Sequence, residues 1–187
     1  MRKDESAESH RVKREGTSEG ESPLEHLWAP WRSSYVGEKR EDREKHCIFC
    51  VYPAEGEASF RKNLILYSDP HAFVILNRFP YNGGHVMVVP RLHVATLEEL
   101  PEEPYLVLCK MIRATCAALR SRLRVDGLNL GMNLGASAGA GIAQHCHFHI
   151  VPRWNGDTNF MPVVSGTKVI SRALDETYDF LLPAFTW

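Results

Sequence analysis

The chain has 187 residues, 44% of them apolar, and 22 Lys+Arg against 23 Asp+Glu for a net charge of −1. That is one soluble domain's worth of residues without the basic excess of a dedicated nucleic-acid binder, so no nucleic-acid partner is expected. No apolar run approaches the roughly 18 residues of a membrane span and the charged N-terminus lacks a signal-peptide core, so no membrane partner and a cytoplasmic location are expected.

Residues 1–22 are Ser, Glu, Lys and Arg with almost nothing to bury, and read as a disordered charged tail. The rest, 23–187, carries 17 charges of each sign and reads as a single domain. It opens with Leu27-Trp28-Ala29-Pro30-Trp31-Arg32, too apolar for a tail and expected to dock on the domain. Cys47-Ile48-Phe49-Cys50 follows, two thiols on what reads as a tight turn. Five cysteines in all, an odd number, argue for a reducing compartment over a disulfide framework. A redox reading of Cys47 and Cys50 would want a helix starting immediately after Cys50, but Val51-Tyr52-Pro53-Ala54-Glu55-Gly56 reads as loop, which favours a metal if two further ligands exist.

Asn63 to Tyr67, His71 to Asn77 and His85 to Pro90 read as short strands, with turns at Asp69-Pro70 and Asn82-Gly83-Gly84. Thr96-Leu97-Glu98-Glu99 has the form of a capping box. The main helix is expected from Glu102 to Leu123, with Leu106, Cys109, Met111, Ile112, Cys116 and Leu119 on its apolar face. A strand from Leu128 to Leu134, a loop of small residues from Gly135 to Gly141, a strand from His145 to Val151 and a helix from Ser171 to Leu182 complete the chain. Strands joined by tight turns around one long helix indicate an α+β fold with a largely antiparallel sheet.

His145-Cys146-His147-Phe148-His149-Ile150-Val151 carries the chemistry. On a strand, a period of two puts His145, His147 and His149 on one face and Cys146, Phe148 and Ile150 on the other. Three imidazoles in a row can be a metal site, or a nucleophile flanked by a ligand and an orienting group. The small-residue loop from Asn133 to Gly141 lets backbone N–H groups approach an anion, although a tight hairpin explains it as well. His85, behind two glycines, reads as a buried hydrogen-bonded core residue.

The His145–Val151 segment resembles the signature of the histidine triad (HIT) superfamily of nucleotide hydrolases and transferases, and Asn77 to Pro90 resembles its first hairpin. Leu27 to Arg32 and Pro152 to Phe160 resemble a bacterial branch that includes diadenosine tetraphosphate (Ap4A) phosphorylases. The resemblance implies a HIT-like fold: a five-stranded antiparallel sheet with one long and one short helix, assembled as a homodimer. It also implies nucleotidyl transfer through a covalent nucleotidyl-histidine, most simply phosphorolysis of Ap4A to ADP and ATP with inorganic phosphate as co-substrate. The alternatives are a hydrolase of nucleoside polyphosphates or phosphoramidates giving AMP, or a non-catalytic zinc-stabilised nucleotide-binding module.

Carried residue by residue, the resemblance makes His147 the nucleophile and sets His149 against phosphate or leaving-group oxygens. Asn133 and the amides of Gly139, Ala140 and Gly141 would hold phosphate oxygens, Asn77 the ribose, and Phe49 or Leu76 the base. Read from the residues themselves, Trp154 and Trp31 are candidate caps over the nucleotide, with plain packing explaining them as well. Many relatives carry Ser or Gln where this chain has Gly141-Ile142, and Gln144 is the candidate replacement. Zinc-containing members imply a structural zinc on Cys47, Cys50, His93 and His145, with His46 as a rival ligand. In so neutral a body, amides and imidazoles, not a cationic surface, are expected to hold the polyanion.

Overall fold

A computed structural model describes residues 47–158 and 172–187. The tail, the Leu27–Arg32 segment, His46 and Phe160 lie outside the described residues.

The described chain starts with helix α1 (Ile48–Ala54), then a 3-10 turn (Glu57–Ser59) and a one-turn helix, α2 (Phe60–Asn63). Strands β1 (Ile65–Ser68), β2 (Ala72–Leu76) and β3 (Val86–Pro90) follow, then the long helix α3 (Glu102–Leu123). Strand β4 (Gly127–Met132), strand β5 (Phe148–Arg153) and helix α4 (Leu174–Leu181) complete it. The five strands form one sheet in the order β1-β2-β3-β5-β4, antiparallel at every pairing. This is the expected α+β architecture, and α3 has the expected bounds.

One register row runs Ile75–Met87–His149–Gly131 across β2, β3, β5 and β4. Directly opposed residues share a face, so this row places His149 beside apolar neighbours on one side of the sheet. Helix α3 packs across β2 and β3, burying Leu108, Met111, Thr115, Ala118 and Leu119 at helical spacing. Tyr178 of α4 donates its hydroxyl to the Ile65 carbonyl at 3.0 Å, tying the last helix to β1.

The turn into β3 needs glycine at Gly84. Its φ is +73°, and an added Cβ would sit 2.6 Å from Leu123 Cδ1 at the end of α3. The hairpin therefore seats directly on the long helix.

Four expectations need correction. Residues 51–54 are helix rather than loop: α1 begins right after Cys47, and Phe49 and Pro53, one turn apart, bury their side chains together. Pro53 has no N–H to give the Phe49 carbonyl, so it costs this short helix one backbone bond, which its burial offsets. Strand β5 starts at Phe148, so His145 and His147 precede the ladder instead of alternating along it. Cys109 and Leu106 face outward, because the buried stripe of α3 runs through Leu108 and Met111. The Thr96–Glu99 segment is not a helix start, although Glu99 Oε2 accepts from the N–H groups of Ala95 and Thr96 at 2.7 and 3.0 Å.

Candidate active site and metal centre

A cavity of about 430 Å³ opens on the Ile75–Met87–His149 row. Helix α1 supplies one wall with Ile48, Phe49 and Tyr52, and the loop after β4 supplies another with Asn133, Ala136 and Gly139 to Ile142. The volume is in the usual range for a small-molecule site. Of the anticipated residues, Asn77, Asn133, Gly139, Ala140, Gly141, Phe49, Leu76, His147 and His149 line this cavity, and Gln144 and Trp154 do not. Trp154 instead donates its indole N–H to the Leu123 carbonyl at 3.3 Å.

The hydrogen bonds assign the imidazole tautomers. His147, 4% exposed, has Nδ1 at 2.9 Å from the His145 carbonyl oxygen. A carbonyl only accepts, so Nδ1 carries the proton and Nε2 keeps the lone pair. Burial holds the His147 pKa below the ordinary histidine value, against the opposing pull of the His145 carbonyl. At neutral pH the ring is an uncharged base with its available nitrogen fixed.

His149 is set by a longer chain. Tyr81 donates its N–H to His85 Nδ1 at 3.0 Å, and Asn77 Nδ2 approaches the same nitrogen at 3.3 Å. His85 must then carry its proton on Nε2, which donates to His149 Nδ1 at 2.9 Å. His149 in turn holds its proton on Nε2. Tyr81 also stacks on His149 with ring centroids 5.7 Å apart. His85 is fully buried and hydrogen-bonded, as expected, but it also orients a residue lining the cavity. Sequence reasoning had no signal for that link, because it depends on the β3–β5 register. Arg78 was missed too: it is the one cationic side chain lining the cavity among the described residues.

The small-residue loop is less open than anticipated. Gly139 N–H donates to Ala136 O at 3.0 Å and Ala140 N–H to Gly135 O at 3.3 Å. Among the described residues, the Gly141 amide makes no backbone hydrogen bond. Of the three anticipated amides, Gly139, Ala140 and Gly141, that leaves Gly141 without a backbone partner among the described residues.

Beside the cavity, Cys47, Cys50, His93 and His145 bring their ligand atoms within 4.8 Å of one another. His145 donates Nε2–H to the Pro90 carbonyl at 2.8 Å, so its Nδ1 lone pair faces Cys47 Sγ at 3.4 Å and Cys50 Sγ at 3.6 Å. His93 Nδ1 lies 3.2 Å from Cys50 Sγ. A tetrahedral zinc with Zn–S about 2.3 Å and Zn–N about 2.0 Å sets adjacent S and N about 3.5 Å apart, so these residues fit one ion. Burial pushes the Cys50 thiol up to about 11, with Cys47 adding to it, and burial brings His145 down to about 4. A dication among the two sulfurs would reverse that order and favour the thiolates. Four protein ligands leave no open position, which is the pattern of a structural site.

The HIT domain family matches residues 60–156. AP-4-A phosphorylase of Mycobacterium tuberculosis is 34% identical over 94% of this chain and 91% of its own length. The chain belongs to the HIT family. The chain is also 34% identical to an uncharacterised HIT-like protein of Saccharolobus solfataricus, over 74% of this chain and 94% of that one. Among solved structures, a zinc-bound histidine triad protein from Mycobacterium smegmatis superposes with a TM-score of 0.58 at 25% identity, covering 75% of this chain and 93% of that one. A histidine triad nucleotide-binding protein from Sulfolobus tokodaii gives a TM-score of 0.57 at 29% identity, covering 74% and 88%. The five-stranded antiparallel sheet is thus the HIT fold.

Proposed function

We propose that this HIT enzyme cleaves dinucleoside polyphosphates by nucleotidyl transfer through His147, with Ap4A and inorganic phosphate giving ADP and ATP. The observation that carries it is the His145 carbonyl on His147 Nδ1, which leaves Nε2 as an uncharged nucleophile in a nucleotide-sized cavity. The named phosphorylase relative, similar over nearly the whole chain, supports the substrate class.

In the first step Nε2 of His147 attacks the α-phosphorus in line. The P–N bond forms as the P–O bond to the leaving polyphosphate breaks, and ATP departs. His149 Nε2–H, oriented by His85, donates to phosphate or leaving-group oxygens. The Gly141 amide and Asn133 stabilise charge on the equatorial oxygens. Phe49 and Leu76 flank the base, and Asn77 lies against the ribose. In the second step a phosphate oxygen attacks the same phosphorus, the P–N bond breaks, and ADP leaves with His147 restored. Water in that step would give AMP instead.

A zinc ion held by Cys47, Cys50, His93 and His145 would supply structural cross-linking charge and no open Lewis-acid position. Homodimerisation is part of the proposal: β4 is an edge strand with an exposed Leu130, and α3 exposes Tyr105 and Leu106. A cytoplasmic setting is supported by five free cysteines. No described helix is long and apolar enough to cross a membrane.

Product analysis on Ap4A with phosphate varied tests the reaction. ADP and ATP that require phosphate are expected, whereas AMP and ATP with and without phosphate would sink phosphorolysis and leave hydrolysis.

A further inference from the structure

The Cys47-x-x-Cys50 pair touches the active site in three ways. Phe49, between the two cysteines, packs on the His147 ring at 4.9 Å and on the His145 ring at 5.5 Å. Ile48, Phe49 and Tyr52 of α1, the helix that begins right after Cys47, form a wall of the cavity. The pair also converges on His145, whose carbonyl fixes the proton of His147. The four-residue cluster therefore lies one residue's backbone from the nucleophile.

The redox reading of the sequence asked for a helix directly after Cys50; a helix is present, but it begins at Ile48 and already contains Cys50. Cys47 caps α1, Cys50 sits in its first turn, and the Cys50 N–H donates to the Cys47 carbonyl at 2.9 Å. Paired thiols at a helix start are the Cys-x-x-Cys layout of disulfide chemistry. Cys47 and His145 are buried, Cys50 is half-buried and His93 is exposed, so the cluster has one edge that an oxidant can reach.

We propose that Cys47 and Cys50 form a redox-controlled clip on the nucleophile. As thiolates they hold a metal with His93 and His145 and keep His147 in its reactive tautomer; as a disulfide they release His145 and switch transfer off. The oxidant is a peroxide. Two thiolates give up two electrons and form one S–S bond, while the peroxide takes those electrons and two protons and leaves as two waters. Two of four metal ligands are lost in the same step, which frees the ion to solvent and removes the tie on His145 Nδ1, leaving His145 held by its Nε2–H bond to the Pro90 carbonyl and by the Cys146 N–H bond to the Val94 carbonyl. The proposal rests on metal binding by these four residues and on the nucleotidyl-histidine reading above.

The test titrates the full chain, loaded with zinc chloride, with hydrogen peroxide in the presence of a chromogenic chelator. The expected result is release of one zinc per chain in step with a Cys47–Cys50 disulfide, seen as the loss of two hydrogens' mass from the peptide spanning them. Activity on Ap4A falls at least about tenfold, the Nδ1–H signal of His147 in imidazole ¹⁵N spectra is lost, and a dithiol with zinc restores both. A Cys50→His chain cannot form the disulfide and is expected to show no peroxide response relative to its own starting activity. A Cys109→Ser chain, changed at an exposed thiol outside the cluster, should respond like the parent. Disulfide and zinc release with activity and the His147 signal unchanged would overturn the proposal, as would a response abolished by Cys109→Ser. A chain that binds no zinc fails at the metal premise. A chain inactive on Ap4A in both states fails the functional reading, and the switch then stands or falls on the His147 signal and zinc release.

Discussion

The Nε2 atom of His85 lies 2.9 Å from Nδ1 of His149, although the two residues are 64 positions apart in the chain. Because Tyr81 N–H already occupies Nδ1 of His85, the proton of this bond belongs to His85, and His149 is left as a donor through Nε2. A buried residue thereby decides what a cavity residue can offer to a phosphate.

Replacing His85 with Leu should remove that control. A fall in kcat of about ten- to a hundredfold is expected, with KM for Ap4A changed less, because the bond orients a donor needed as the leaving group departs. The His149 imidazole ¹⁵N pattern should change from a single Nε2–H tautomer to a mixture. An unchanged pattern would mean that His85 serves packing alone.

His147→Ala should lower turnover of Ap4A at least about a thousandfold and leave the circular dichroism spectrum and Tm close to the parent, since the nucleophile is lost. Trapping with labelled substrate should give a nucleotidylated parent chain and an unlabelled variant. Label on the variant would place the nucleophile elsewhere.

The stability of the β5 end should depend on pH through Asp157. Two hydrogen bonds from Arg153 and the Trp154 N–H hold its carboxyl well below the ordinary aspartate range. A depressed folded-state pKa contributes stability that is present above the unfolded value near 4 and is lost as pH falls through the folded one. Asp157→Asn should therefore lower Tm by a few degrees at pH 7, and the gap to the parent should narrow steadily below about pH 4. A gap independent of pH would assign the loss to the Asn82 bond to Asp157 instead.

Leu130→Arg should turn the proposed homodimer into a monomer, read by sedimentation or light scattering at micromolar concentration. The side chain is exposed on the edge strand β4, and arginine there places like charges together across a two-fold pairing. A parent that is itself monomeric would end the dimer proposal.

Much of the fold was legible because it depends on local rules. Gly and Pro punctuated the three strands before the long helix, and α3 ran over the anticipated residues. The errors have a common origin. Helix α1 was missed because Pro53 breaks isolated helices, whereas here burial of Phe49 and Pro53 sustains it. Cys109 was placed inward because its spacing from Cys116 fits a helix face, but which face is buried depends on what packs against it.

From the sequence alone, three histidines stand at alternate positions on an expected strand, a small-residue loop precedes them, and two thiols lie far upstream. Those are properties of composition and spacing, and they left a metal site and a nucleophile both open; nucleotidyl transfer followed only from the resemblance to the HIT superfamily. Which nitrogen of each imidazole carries a proton is set by tertiary contacts. These contacts are with the carbonyls of Pro90 and His145 and the ring of His85. A tautomer is set by its hydrogen-bond partner, and all but one of these partnerships cross the sheet between segments whose register no local pattern encodes.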